Sequence, residues 1–104
     1  MSLRELLEEE AIDLPGAEPS LGPDGSITWS RGNRPFAVVT ADGSSAEFAL
    51  DPAVADAAAR TPNVILSSRG PGWVTFAPPD LDDHAADRAA AWLASAHRRL
   101  ELRN

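Results

Sequence analysis

Two stretches of the chain set a tryptophan beside arginine at a turn. In Ile27-Thr28-Trp29-Ser30-Arg31-Gly32-Asn33-Arg34 the indole precedes two arginines; in Arg69-Gly70-Pro71-Gly72-Trp73 it follows one. An indole face and a guanidinium plane both stack on flat π systems, so Trp29, Arg31, Arg34, Arg69 and Trp73 are the candidate ligand-binding residues, suited to a planar ligand or a nucleic-acid base. The competing use of the indoles is to cover the second face of a sheet or one end of the core, and packing is the commoner task of large apolar side chains.

Other chemistry finds little support. There is no cysteine nucleophile or thiolate ligand. Ser44, Ser45, Ser67 and Ser68 lie beside turns, where serine is common, and none stands in a G-x-S-x-G elbow. Asp80-Leu81-Asp82-Asp83-His84 carries carboxylates and an imidazole that suit a divalent ion, yet acids in a first helical turn already complement the helix dipole. His97 would stand about 20 Å further along that helix and cannot join such a site. Gly70-Pro71-Gly72 lacks the lysine and the following helix of a phosphate loop, and reads as a hairpin bend. No catalytic set, metal site or cofactor is therefore expected.

The elements that position these residues follow from spacing. Ser2 and Glu5 form a capping box, and Leu3, Leu6 and Leu7 give one apolar face, predicting a helix over about 3–11. Residues 15–26 hold three prolines and three glycines and read as a connection with little regular structure. Ile27 and Trp29 share one side of a short strand. Pro35–Thr40 is a β-branched strand, Asp42-Gly43 a hairpin turn, and Ser45–Leu50 the returning strand, with Phe48 and Leu50 inward and Glu47 outward. Asp51-Pro52 opens an alanine-rich helix to about Arg60. Val64–Leu66 and Trp73–Phe76 form a second hairpin; alternation makes Val74 and Phe76 the core pair and puts Trp73 and Thr75 on the opposite face. A last helix runs from Asp80 or Leu81 to about Leu102, with Leu81, Ala85, Ala89, Trp92, Leu93, Ala96 and Leu100 as its apolar stripe. The expected fold is a single α+β domain of order α-β-β-β-α-β-β-α. Its mainly antiparallel sheet of about five strands carries the helices on one face.

Length and charge bound the partners. At 104 residues the chain suits one domain with a modest core. The net charge is −7, and residues 1–24, with seven acids and one arginine, carry −6 of it. Such a balance repels phosphate backbones at long range and disfavours nucleic acid, although the neutral middle leaves its arginines free to cluster. All nine basic residues are arginine, read here as the codon bias of a GC-rich genome. The acidic start lacks the form of a signal peptide, no apolar run reaches a membrane span, and the absence of cysteine fits a reducing cytoplasm.

Leu14-Pro15-Gly16 after a first helix, the Pro35-Phe36-Ala37-Val38-Val39 strand, Asp51-Pro52 opening a helix, Gly72-Trp73-Val74 after a turn and a closing helix with an aromatic form a pattern that resembles the MmcQ/YjbR family of small bacterial proteins over roughly residues 3–100. The resemblance implies an α+β fold whose hairpins have been likened to a double wing for DNA. Relatives often carry a more polar and basic run before the tryptophan, where this chain has Ser67-Ser68-Arg69-Gly70. A luciferase-like small domain, also with an L-P-G start and a G-W-V strand, is similar as well. The expectation is a non-enzymatic cytoplasmic binding module for a protein partner or small ligand on the uncovered side of the sheet, with nucleic-acid binding through the Arg31/Arg34 and Arg69 hairpins as the alternative.

Overall fold

The computed structural model describes residues 2–101. Its first element, α1 (Leu3–Ile12), begins as the Ser2–Glu5 spacing predicts: the Glu5 amide donates to Ser2 Oγ at 3.2 Å and the Ser2 amide to Glu5 Oε1 at 3.1 Å. Leu3, Leu6, Leu7 and Ala11 are buried, so the leucine face packs inward. Arg4 leaves the same turn on the other side, where its Nη1 donates to the carbonyls of Gly25 and Ala41 and ties two hairpin loops to the helix.

Six strands follow, not five, and all pair antiparallel: β1 (Glu18–Leu21), β2 (Ile27–Arg31), β3 (Arg34–Val39), β4 (Ala46–Ala49), β5 (Val64–Leu66) and β6 (Trp73–Phe76), in spatial order β1-β2-β3-β4-β6-β5. The added strand is β1, inside the segment expected to be irregular. All four of its residues are exposed, so it carries no alternating burial for a sequence to show, and its order comes from backbone pairing with β2. Pro19 is tolerated because β1 is an edge. The Gly22 amide donates inward to Ser26 at 2.8 Å, and two-residue alternation turns position 19 outward, where the missing N–H costs no ladder bond.

The helices cover one face. Ile27, Trp29, Ala37, Val39, Ala46, Phe48, Val64, Val74 and Phe76 point into it and are all buried. A bulge between Trp29 and Ser30 pairs Trp29 with Ala37 and Ser30 with Pro35, leaving Phe36 unpaired. The extra residue drives Phe36 into the same core, edge-on to His97 at 5.6 Å between ring centroids. α2 (Pro52–Ala58) is shorter than expected and buries Ala55 and Ala58. Asp51 stands at its N-cap, but the carboxylate makes no capping bond and lies 3.6 Å from Arg99 Nε instead.

α3 (Asp83–Glu101) starts later than Asp80 or Leu81 because Asp82 is the cap: its Oδ1 accepts from the Ala85 amide at 2.8 Å. The expected end at Leu102 lies outside the described residues. Ala85, Ala89, Leu93, Ala96 and Leu100 are buried in the predicted stripe, and Trp92 packs against Phe76 and Phe48 at 5.1 and 6.2 Å. His97, 5% exposed, is the stripe's one polar member. Its Nε2 lies 2.6 Å from the Pro15 carbonyl, which only accepts, so Nε2–H donates there. That bond fastens the Leu14-Pro15-Gly16 turn to α3. No helix among the described residues is long and apolar enough to cross a membrane.

Candidate functional site

The strand register fixes where each candidate residue stands. Ala37 opposite Phe48 and Ala49 opposite Trp73 place the β2–β3 and β5–β6 turns at the same end of the sheet. Arg31, Arg34 and Arg69 therefore share an end of the molecule. The Asp51–Arg99 approach brings the C-terminal turn of α3, with Arg98, to that end as well.

The two tryptophans do not share a face, and here the sequence expectation needs correction. Trp29 is 2% exposed and lies under α1 on the helix side, two residues from Ile27. It cannot belong to a recognition surface on the uncovered face. Trp73 does lie there, half-buried, alternating with Val74 and Phe76 of the core.

Around Trp73 the structure builds a network. Glu47 on β4 stands opposite Thr75 on β6. Glu47 Oε1 accepts from Ser67 Oγ at 2.5 Å and from Thr75 Oγ1 at 3.3 Å; its Oε2 accepts from Arg69 Nε. Ser67 Oγ also accepts from the Arg69 amide at 3.2 Å, so the start of the β5–β6 loop closes on itself. The Arg69 guanidinium then sits 5.7 Å from the centre of the Trp73 ring, within cation–π range. On its other side Trp73 forms one wall of a groove of about 310 Å³ between α2 and the β5–β6 loop, with Pro52, Ala55, Leu66 and Pro71 among its lining. Leu66 of that lining is 61% exposed.

Glu47, Ser67 and Thr75 were not singled out from the sequence. Alternation puts Glu47 and Thr75 outward, but their meeting depends on β4 pairing with β6, and α2 and β5 intervene between them in the chain. Burial pushes the Glu47 carboxyl up. Hydrogen bonds from Ser67 and Arg69, the Arg69 charge and the Thr75 hydroxyl together outweigh it and hold the group below its ordinary value. A carboxyl lowered in the folded state stabilises the fold above its unfolded pKa, and that contribution is lost as pH falls through the lower folded value. Glu47→Gln should therefore destabilise the protein by about 1 kcal/mol at neutral pH, a small figure because solvent screens the half-exposed Arg69. The gap to the wild type should narrow as urea unfolding is repeated at pH values below the ordinary glutamate range. A gap unchanged across that range would contradict this network.

Arg31 and Arg34 form a separate site. They stand directly opposite across β2 and β3, a like-charge pairing that costs stability. No carboxylate pairs with either among the described residues. The Arg31 side chain lies over Gly16 and reaches to 3.4 Å from His97 Nε2, while Arg34 is exposed. With Gly32 and Leu100 they line a hollow of about 300 Å³. The five candidates thus divide three ways: Arg69 with Trp73, Arg31 with Arg34, and Trp29 alone in the core. Among the described residues no group of three or more His, Asp or Glu side chains could hold a metal ion. A scan against protein-family models finds no match to this chain, and a search of curated proteins also finds none.

Proposed function

We propose that the protein is a non-enzymatic binding module that engages a protein partner or small ligand at the Trp73 corner of its uncovered sheet face. The observation that carries this reading is the state of Trp73: partly exposed, backed by Arg69 and fronting an apolar groove, whereas Trp29 is 2% exposed. The Arg69 side chain bonds Glu47 through Nε, and its Nη donors make no hydrogen bond among the described residues. A flat apolar group bearing a hydrogen-bond acceptor complements that arrangement. Kinship with the MmcQ/YjbR family and a cytoplasmic location belong to the same proposal.

Benzoate and indole-3-carboxylate serve as probes, followed through the three indole N–H cross-peaks by NMR. The Trp73 peak should move saturably while those of Trp29 and Trp92 stay, and Trp73→Ala should abolish binding. Unchanged affinity in that variant, or no movement of the Trp73 peak, rejects the assignment.

The second reading, nucleic-acid binding, is favoured by the shared end of the Arg31/Arg34 and Arg69 turns and by the unrelieved Arg31–Arg34 pairing. It predicts a mobility shift at low salt that falls steeply as salt rises and disappears when the three arginines are changed together. A flat low-salt assay disposes of it.

A further inference from the structure

A further hollow lies on the helix side, away from the Trp73 corner. It is a cleft of about 430 Å³ between the C-terminal half of α1 and the β1–β2 edge. Ala11, Ile12, Ala17, Pro19, Ile27 and Trp29 make its apolar floor and walls, and Glu8 and Glu9 stand at its lip. Its volume falls in the range of small-molecule sites. Ile12 beside it is 82% exposed, a large aliphatic side chain that the fold leaves without cover.

The two charged side chains that line the cleft are both acidic. No basic residue lines it. Glu8 is engaged only by Arg4, at 3.3 Å along the helix, and Glu9 makes no ion pair among the described residues. A second feature points the same way. The last turn of α1 contains Glu9 and Glu10, has no base, and is followed by Asp13 at the C-cap. Backbone carbonyls already make a helix C-terminus negative, and cations normally stand there. α3 follows that rule with Arg98 and Arg99 in its last turn, whereas α1 reverses it. Carboxylates at such a helix end cost stability in the free protein, and a bound cation would recover it.

From this we infer that the α1–β1 cleft binds a small amphiphilic organic cation. The hydrocarbon or aromatic body would lie against Ile12, Ala17 and Pro19, over the Trp29–Ile27 floor, and the ammonium group would lie between the glutamates and the carbonyl end of α1. The inference stands apart from the Trp73 corner, which lies on the opposite face.

Phenethylammonium is the probe, with its neutral isostere 2-phenylethanol and the anion 3-phenylpropionate as comparisons, each titrated at low salt while the indole N–H cross-peaks are followed. The ammonium should move the Trp29 peak saturably, leave the Trp73 peak in place, and bind about five- to tenfold more tightly than the alcohol, the worth of one or two partly screened carboxylates. Added salt should shrink that preference. The surface double variant Glu8→Gln/Glu9→Gln should remove it without loss of fold by circular dichroism, and Trp73→Ala should leave it intact. Equal binding of ammonium and alcohol, a preference that survives in the double variant, or a Trp29 peak that stays still at millimolar ammonium would each overturn the assignment.

Discussion

Replacing Gly72 by alanine is expected to lower stability by roughly 3–4 kcal/mol, combining backbone strain with a rigid clash. In a domain of this size that lowers the thermal midpoint by roughly 15–25 °C. Gly72 adopts φ +83°, and a Cβ built there would lie 2.3 Å from the Leu50 carbonyl oxygen. Neither partner can yield. The Leu50 amide donates to the Gly72 carbonyl at 2.8 Å, so the two backbones are joined at the point where the end of β4 meets the start of β6. β4–β6 is the seam between the β1–β4 meander and the last hairpin, and opening it separates the sheet into two parts. Gly32→Ala is the control. It has a similar φ of +57° but nothing within 4 Å of the added carbon, so only the left-handed backbone term applies, about 1–2 kcal/mol. Thermal unfolding by circular dichroism should rank wild type, Gly32→Ala and Gly72→Ala in falling order. Equal midpoints for the two variants would mean that the close approach to Leu50 is absent.

The same seam shows what the sequence could and could not disclose. Helices were legible because their signals are local: Ser2 with Glu5, Asp51 with Pro52, and the alanine–leucine stripe along residues 81–100 lie within a few turns of one another. Strands β2 to β6 were legible from apolar composition and alternation. β1 was not, because an edge strand with every side chain in water is held by hydrogen bonds that no side-chain pattern records, and Pro19 argued against it. The start of α3 was misplaced because Asp80, Asp82 and Asp83 are all plausible caps, and only the Asp82–Ala85 bond selects one. The site was half legible. Arg69 and Trp73 are four residues apart and their meeting is local; Glu47, which organises them, arrives through a pairing that skips α2 and β5.

Pro15 and His97 extend the point. Their bond spans 82 residues and seals the turn after α1 against the end of α3, next to the Arg31 side chain. From sequence, His97 read only as a residue too far from Asp80–His84 to share a metal. In the fold it is the polar pin beside Phe36, the residue that the β3 bulge turns inward. A histidine's spacing along its own helix says nothing about the carbonyl it meets from another element. The same limit separates parity, which a strand shows in its own residues, from register, which belongs to the partner.

Strand parity separates the two tryptophans, which the sequence expectation places on one surface, and their substitution carries the other large expected effect. Trp29 falls two residues from buried Ile27, and Trp73 falls one residue from buried Val74, so alternation sends the indoles to opposite faces. Trp29→Ala should cost roughly 3–5 kcal/mol, since a 2% exposed indole leaves a cavity that the pairing of β2 with β1 and β3 holds open. Trp73→Ala should cost about 1–2 kcal/mol, since the ring is only partly buried and loses mainly its contact with Arg69 and part of the groove wall. Urea unfolding midpoints measure both. The two experiments separate stability from recognition: Trp29→Ala should damage the fold and the cleft together, whereas Trp73→Ala should spare the fold and remove only the probe response at its own corner. A Trp73→Ala variant that unfolds as readily as Trp29→Ala would make Trp73 a packing residue and leave the uncovered sheet face without its anchor.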